Sequence, residues 1–99
     1  MPQISRDGDI TSTGHGCTRA IGVISSQGSV FANGIPLLRV GDRTRFHVIK
    51  VGIYCVPHSA NVNRGSSSVV AQGISVARVG DSTDFGSLMT GSGNVFAGG

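Results

Sequence analysis

Two short patterns alternate strictly along this 99-residue chain, and they fix what it can fold into. The first reads R-x-G-D-x-T and occurs at Arg6–Thr11, Arg39–Thr44 and Arg78–Thr83. The second reads [SN]-V-[FV]-A-x-G and occurs at Ser29–Gly34, Ser68–Gly73 and Asn94–Gly99. Gly28–Asp42 aligns with Ser67–Asp81 at an offset of 39 residues, with nine of fifteen positions identical. Internal repetition on this scale decides the architecture. The joining segments vary in length, whereas stacked solenoid repeats keep their period. Three related units therefore predict one body with pseudo-threefold symmetry, able to sit on a threefold-symmetric partner.

The local signals are those of an all-β chain. Val30-Phe31-Ala32, Asn33-Gly34 and Ile35–Val40 read as strand, turn, strand, because both positions of a type I′ hairpin turn need positive φ. Gln72-Gly73 holds the same place in the second unit and Gly98-Gly99 in the third, where the chain is expected to stop inside the turn. Asp9, Asp42 and Asp81 recur after glycine, which predicts a structural role: carboxylates accepting backbone N–H groups in Asx-type turns. One helical turn is expected near residues 44–50.

Length predicts a single domain over residues 1–99. Gly at 16, no Trp, one Tyr and four Phe leave little material for an apolar core. A chain so composed usually needs a metal, a disulfide or a partner as a staple. The net charge of +3 includes one local cluster, Arg39, Arg43, Arg45 and Lys50. Without interleaved aromatics it reads as solvated surface rather than as a nucleic-acid site. No apolar run is long enough for a membrane-spanning helix, and the first residues lack a signal-peptide pattern. Synthesis in the cytoplasm, without the general secretory route, is the expectation.

The chemistry-bearing residues are His15, Cys17, His47, Cys55 and His58. His15 and His47 follow equivalent R-x-G-D-x-T elements, and equivalent positions in a threefold body converge toward the axis. Cys55-Val56-Pro57-His58 adds a C-x-x-H pair whose ends can reach one ion across a tight turn. Three imidazoles and a thiolate suit tetrahedral zinc ahead of iron. The third unit offers Phe85 at the corresponding place and is expected to supply no ligand. His15-Gly16-Cys17 is also a chelating spacing, so Cys17 and Cys55 remain alternatives. The competing reading is a Cys17–Cys55 disulfide beside ordinary histidines, which a chain made in the cytoplasm disfavours. A closed four-ligand site leaves no position for a reactive water, which argues against a metallo-hydrolase. No phosphate-binding glycine motif is present.

Gly14–Cys17, Gly28–Pro36, Ala77–Asp81 and Gly91–Gly98 together resemble the PAAR-repeat (proline-alanine-alanine-arginine) proteins over nearly the whole chain. The eponymous motif departs to Ile35-Pro36-Leu37-Leu38-Arg39 and Ile74-Ser75-Val76-Ala77-Arg78. The resemblance implies a small β cone, stabilised at its apex by zinc, that caps the tip of a trimeric β-helical spike. Such spikes belong to contractile phage tails and type VI secretion systems. Carried over residue by residue, the zinc ligands are His15, His47, Cys55 and His58. The implied role is non-enzymatic: sharpening a membrane-piercing device, with transient contact with the target cell envelope and neither a small-molecule substrate nor nucleic acid. A zinc-stabilised adaptor that docks effector cargo on the spike is the alternative. One monomer is expected per spike trimer. Val30, Val69 and Val95 are expected in the contact, at the end opposite the metal.

Overall fold

The repeat grammar becomes geometry in a computed structural model of residues 1–99. Eleven strands and no helix make up the chain: β1 Ile10–Ser12, β2 Ala20–Ile24, β3 Phe31–Ala32, β4 Ile35–Pro36, β5 Arg43–Thr44, β6 His47–Val51, β7 Tyr54–His58, β8 Val70–Ala71, β9 Ile74–Ser75, β10 Ser82–Thr83 and β11 Gly86–Ser87. β1, β2 and β5 form one antiparallel sheet, and the other strands pair as hairpins. The body measures 41 × 23 × 23 Å, and its two equal short axes accord with threefold organisation about the long one.

The hairpin β3–β4 turns at Asn33-Gly34, with φ of +56° and +75°, and β8–β9 turns at Gln72-Gly73, with +53° and +80°. Both match the type I′ turn, which explains why the repeat ends in glycine. The third hairpin is completed from the other end of the chain: Gly98-Gly99 hold the turn position, Gly99 at φ of +88°, and residues 2–4 supply the second strand. Gln3 pairs with Phe96, as Phe31 pairs with Pro36 and Val70 with Ser75. Ile4 N donates to Val95 O at 2.9 Å, the counterpart of Leu37 N to Val30 O at 3.0 Å and Val76 N to Val69 O at 3.1 Å.

The three units join in a closed ring of backbone hydrogen bonds. Ser5 N donates to Ala77 O, Ala77 N to Leu38 O and Leu38 N to Ser5 O, at 3.0, 2.9 and 2.9 Å. Buried side chains fall into matching triads. Ile4, Leu37 and Val76 lie in one apolar cluster, with Val30, Val69 and Val95 packed half-buried against it. Those valines therefore face the protein's own interior. Leu38 and Ala77 lie in a second cluster with Val23, Val62 and Leu88. Beyond them Thr11, Thr44 and Thr83, the last residues of the three R-x-G-D-x-T elements, are fully buried.

Each R-x-G-D element is a turn clasped by its own aspartate. Arg6 N, Arg39 N and Arg78 N donate to a carboxylate oxygen of Asp9, Asp42 and Asp81 at 2.7, 2.9 and 2.8 Å. The aspartate N–H groups return the bond to the arginine carbonyls at 3.0, 3.1 and 2.9 Å. The carboxylates are structural, and they cap a donor three residues upstream rather than downstream as in an Asx turn. The arginines then reach across to the next unit's hairpin turn: Arg6 to Asn33, Arg39 to Gln72 and Arg78 to the Gly98 carbonyl.

The expected helical turn near residues 44–50 is absent. Arg43-Thr44 pairs with β2, and His47–Val51, carrying three β-branched residues, pairs fully with β7.

Candidate metal centre

Leaving the threonine layer, the three units converge on one cluster. His15 follows the first threonine by four residues and His47 the second by three, while Asp84 directly follows the third. His58 stands opposite His47 in the β6–β7 register. One donor atom from each of His15, His47, His58 and Asp84 lies within 4.8 Å of all the others. Asp84 Oδ2 is 2.7 Å from His15 Nε2 and 3.0 Å from His47 Nε2, and Asp84 Oδ1 is 3.1 Å from His58 Nε2. His47 and Asp84 are nearly sealed from solvent, whereas the His58 side chain is 25% exposed.

The backbone orients two of the rings. His15 Nδ1 donates to Gly16 O at 3.0 Å and His47 Nδ1 to Arg45 O at 2.8 Å. A carbonyl can only accept, so each Nδ1 carries a proton, and in its neutral form each ring turns an Nε2 lone pair inward. The inward set is thus lone pairs and a carboxylate, which is the donor chemistry a divalent cation requires. Three nitrogens and one oxygen fit zinc.

Two backbone features bring Asp84 in. It occupies the first position of the two-residue turn between β10 and β11 with φ of +60°, a conformation that Asp tolerates better than most side chains. Gly14, at φ of +71°, lies so close to that turn that an added Cβ would fall 2.0 Å from Phe85 O. Glycine at this point lets the first unit touch the third. Burial pushes the Asp84 carboxyl up. When the imidazoles carry a proton at Nε2, hydrogen bonds from His58, His47 and His15, with the charge of His15, outweigh it and hold the group below the ordinary carboxylate range.

Of the ligands carried over from the resemblance, His15, His47 and His58 are gathered and Cys55 is not. Cys55 is bonded to Cys17, with Cα atoms 6.0 Å apart. The reason is strand geometry. Residues 55–58 run within β7 rather than around a turn, so Cys55 and His58, three apart, face opposite sides of the hairpin. The expectation of free thiols is corrected likewise, since both cysteines are in the bridge. The expectation that the third unit supplies no donor is also corrected. Phe85 points outward, and the donor is its neighbour Asp84. The sequence carried a signal for it: of five acidic residues, three belong to the repeat turns, leaving Asp84 the one that follows a repeat threonine.

A family model described as PAAR motif matches residues 13–88. The chain belongs to the PAAR-motif family. A search of curated proteins finds no match. PAAR-motif proteins are spike-tip proteins of contractile injection systems, which sit on a spike at the tip of a tail or secretion machine. The matched span contains all four residues of the histidine–aspartate cluster and both cysteines.

Proposed function

We propose that this protein caps a trimeric β-helical spike as a non-enzymatic tip, one monomer per trimer, and stiffens its point with a zinc ion. The observation that carries the reading is the ring Ser5–Ala77–Leu38, by which one chain offers threefold-equivalent backbone and side chains about a single axis. A trimer's blunt end presents three copies of each group, and a pseudo-threefold monomer can meet all of them at once. Covering the spike's open strand edges would also remove a template for aggregation.

The zinc would be held by His15, His47 and His58 with Asp84 in the fourth position. Bound there, it would supply a crosslink between three chain segments outside the two apolar clusters. Structural zinc contributes on the order of 10 kcal/mol in small domains.

Native mass spectrometry of the protein mixed with candidate trimeric spikes tests the reading. A mass of one monomer per trimer is expected. A three-to-three assembly would overturn it.

A further inference from the structure

The β6–β7 hairpin does more than deliver two histidines. Directly opposed residues in an antiparallel pair share a face. His47/His58, Ile49/Val56 and Val51/Tyr54 therefore form one face, running from the histidine cluster to the hairpin's tip. The first pair belongs to the cluster, and everything beyond it on that face is apolar or aromatic. The turn is Gly52-Ile53, with Gly52 at φ of +62° in the first central position, as a type II′ turn favours. That geometry leaves Ile53 outermost, 87% exposed, with Val51 and Tyr54 exposed beside it. No backbone hydrogen bond ties residues 51–54 to any other part of the chain. The hairpin is moored lower down, by Thr18 N to Val48 O at 3.1 Å and by the Cys17–Cys55 bridge. Phe46 at its foot and Phe85 beside His15 are also exposed.

Charge around this finger has one sign. Arg45 and Lys50 are exposed, and Arg43 lies just upstream. No acidic residue occurs between Asp42 and Asp81. Asp84, the nearest carboxylate, has a side chain only 2% exposed and is engaged by three histidines. A narrow convex projection with aliphatic tip residues, a tyrosine and flanking cations matches the boundary of an anionic bilayer. There, apolar groups enter the acyl edge and cations meet phosphates. A protein partner would instead need a deep apolar groove.

We propose that the β6–β7 hairpin is a membrane-insertion finger that enters an anionic lipid surface through Val51, Ile53 and Tyr54, with Lys50 and Arg45 on the lipid phosphates. The proposal adds to the spike-tip reading without resting on it, since its test contains no spike.

The chain has no tryptophan, so Tyr54→Trp installs a single fluorescent probe at the tip. The full-length variant is titrated with phosphatidylcholine vesicles, with and without phosphatidylglycerol. A blue-shifted emission shielded from aqueous quencher is expected, with apparent affinity about tenfold or more higher for the anionic vesicles. Adding Val51→Ser and Ile53→Ser is expected to abolish the shift while the circular dichroism and melting temperature change little, because both side chains are exposed and outside the two buried clusters. The proposal is overturned if no shift occurs on either vesicle, if both vesicles bind equally, or if the serine variant partitions like its parent.

Discussion

His15 Nε2 and His47 Nε2 lie 3.2 Å apart, and both also face Asp84 Oδ2. With each Nδ1 proton committed to a backbone carbonyl, neutral rings have no hydrogen to place between them. A cation held at the centre, or a further proton on an imidazole, would relieve that contact.

The first prediction follows from that choice. Protein purified without chelator is expected to carry close to one zinc, measured by elemental analysis. Asp84→Ala and His58→Ala should each lower metal content and melting temperature together. Asp84→Asn, which keeps an oxygen but loses the charge, should fall between wild type and Asp84→Ala. Unchanged melting in all three variants would remove the centre from any structural role.

Gly14 sets the approach of the first unit to the third. Gly14→Ala would drive a methyl group into the Phe85 carbonyl from a left-handed backbone that alanine adopts poorly. Neither backbone can yield without separating His15 from Asp84. A loss of about 2 kcal/mol or more is expected in denaturant unfolding, with weaker metal binding. Gly34→Ala has the strained φ but open space, so it should cost less and leave metal affinity intact.

What the sequence disclosed and what it hid divide along physical lines. The repeat turns, the type I′ hairpins and the three histidines follow from local rules, in which spacing and residue type decide conformation. Asp84 and the fate of Cys55 depend on which way a side chain leaves its strand. A C-x-x-H spacing chelates around a turn but splits across a strand, and only the 47–58 register decides between them. The closure of the third hairpin by Pro2–Ile4 was obscured because its two strands lie at opposite ends of the chain.

The bridge Cys17–Cys55 and a metal in the cluster would tie the same two segments, residues 15–17 and the hairpin. Closing a loop of 38 residues is worth about 4 kcal/mol by chain entropy. Reductant, or Cys17→Ser with Cys55→Ser, should therefore lower the melting temperature markedly in metal-free protein. With metal bound the loop is already closed, so the same change should cost much less. A double cycle of metal and disulfide measures the coupling, and simple additivity would show that the two staples act on different segments.

Acid should act in two stages. Protons compete with metal for imidazole nitrogens, whose ordinary pKa is about 6.5, so metal should be released as pH falls through that region. Asp84 responds later. Its carboxyl is held below the ordinary range, so the stability contributed by its ionised form is complete above the unfolded value of about 3.9. That contribution is lost as pH falls through the lower folded value. Melting followed against pH should show the second stage in wild type but not in Asp84→Asn.

The last prediction concerns the spike contact. Val30, Val69 and Val95 pack inward, so replacing them should destabilise the fold before it affects docking. The next residue in each hairpin strand, Phe31, Val70 or Phe96, is exposed. One apolar side chain per unit at an equivalent position is what a threefold partner can use three times. Phe31→Ser, Val70→Ser and Phe96→Ser should each weaken spike binding by about tenfold, the effect of roughly 1.4 kcal/mol of lost apolar burial. Melting temperature should hardly move, since these side chains leave the core untouched. Binding should also weaken little with salt, because the three positions carry no charge. Calorimetry against one trimeric spike reads all of this. Steep salt dependence, or loss from only one of the three substitutions, would mean that the contact does not follow the threefold axis.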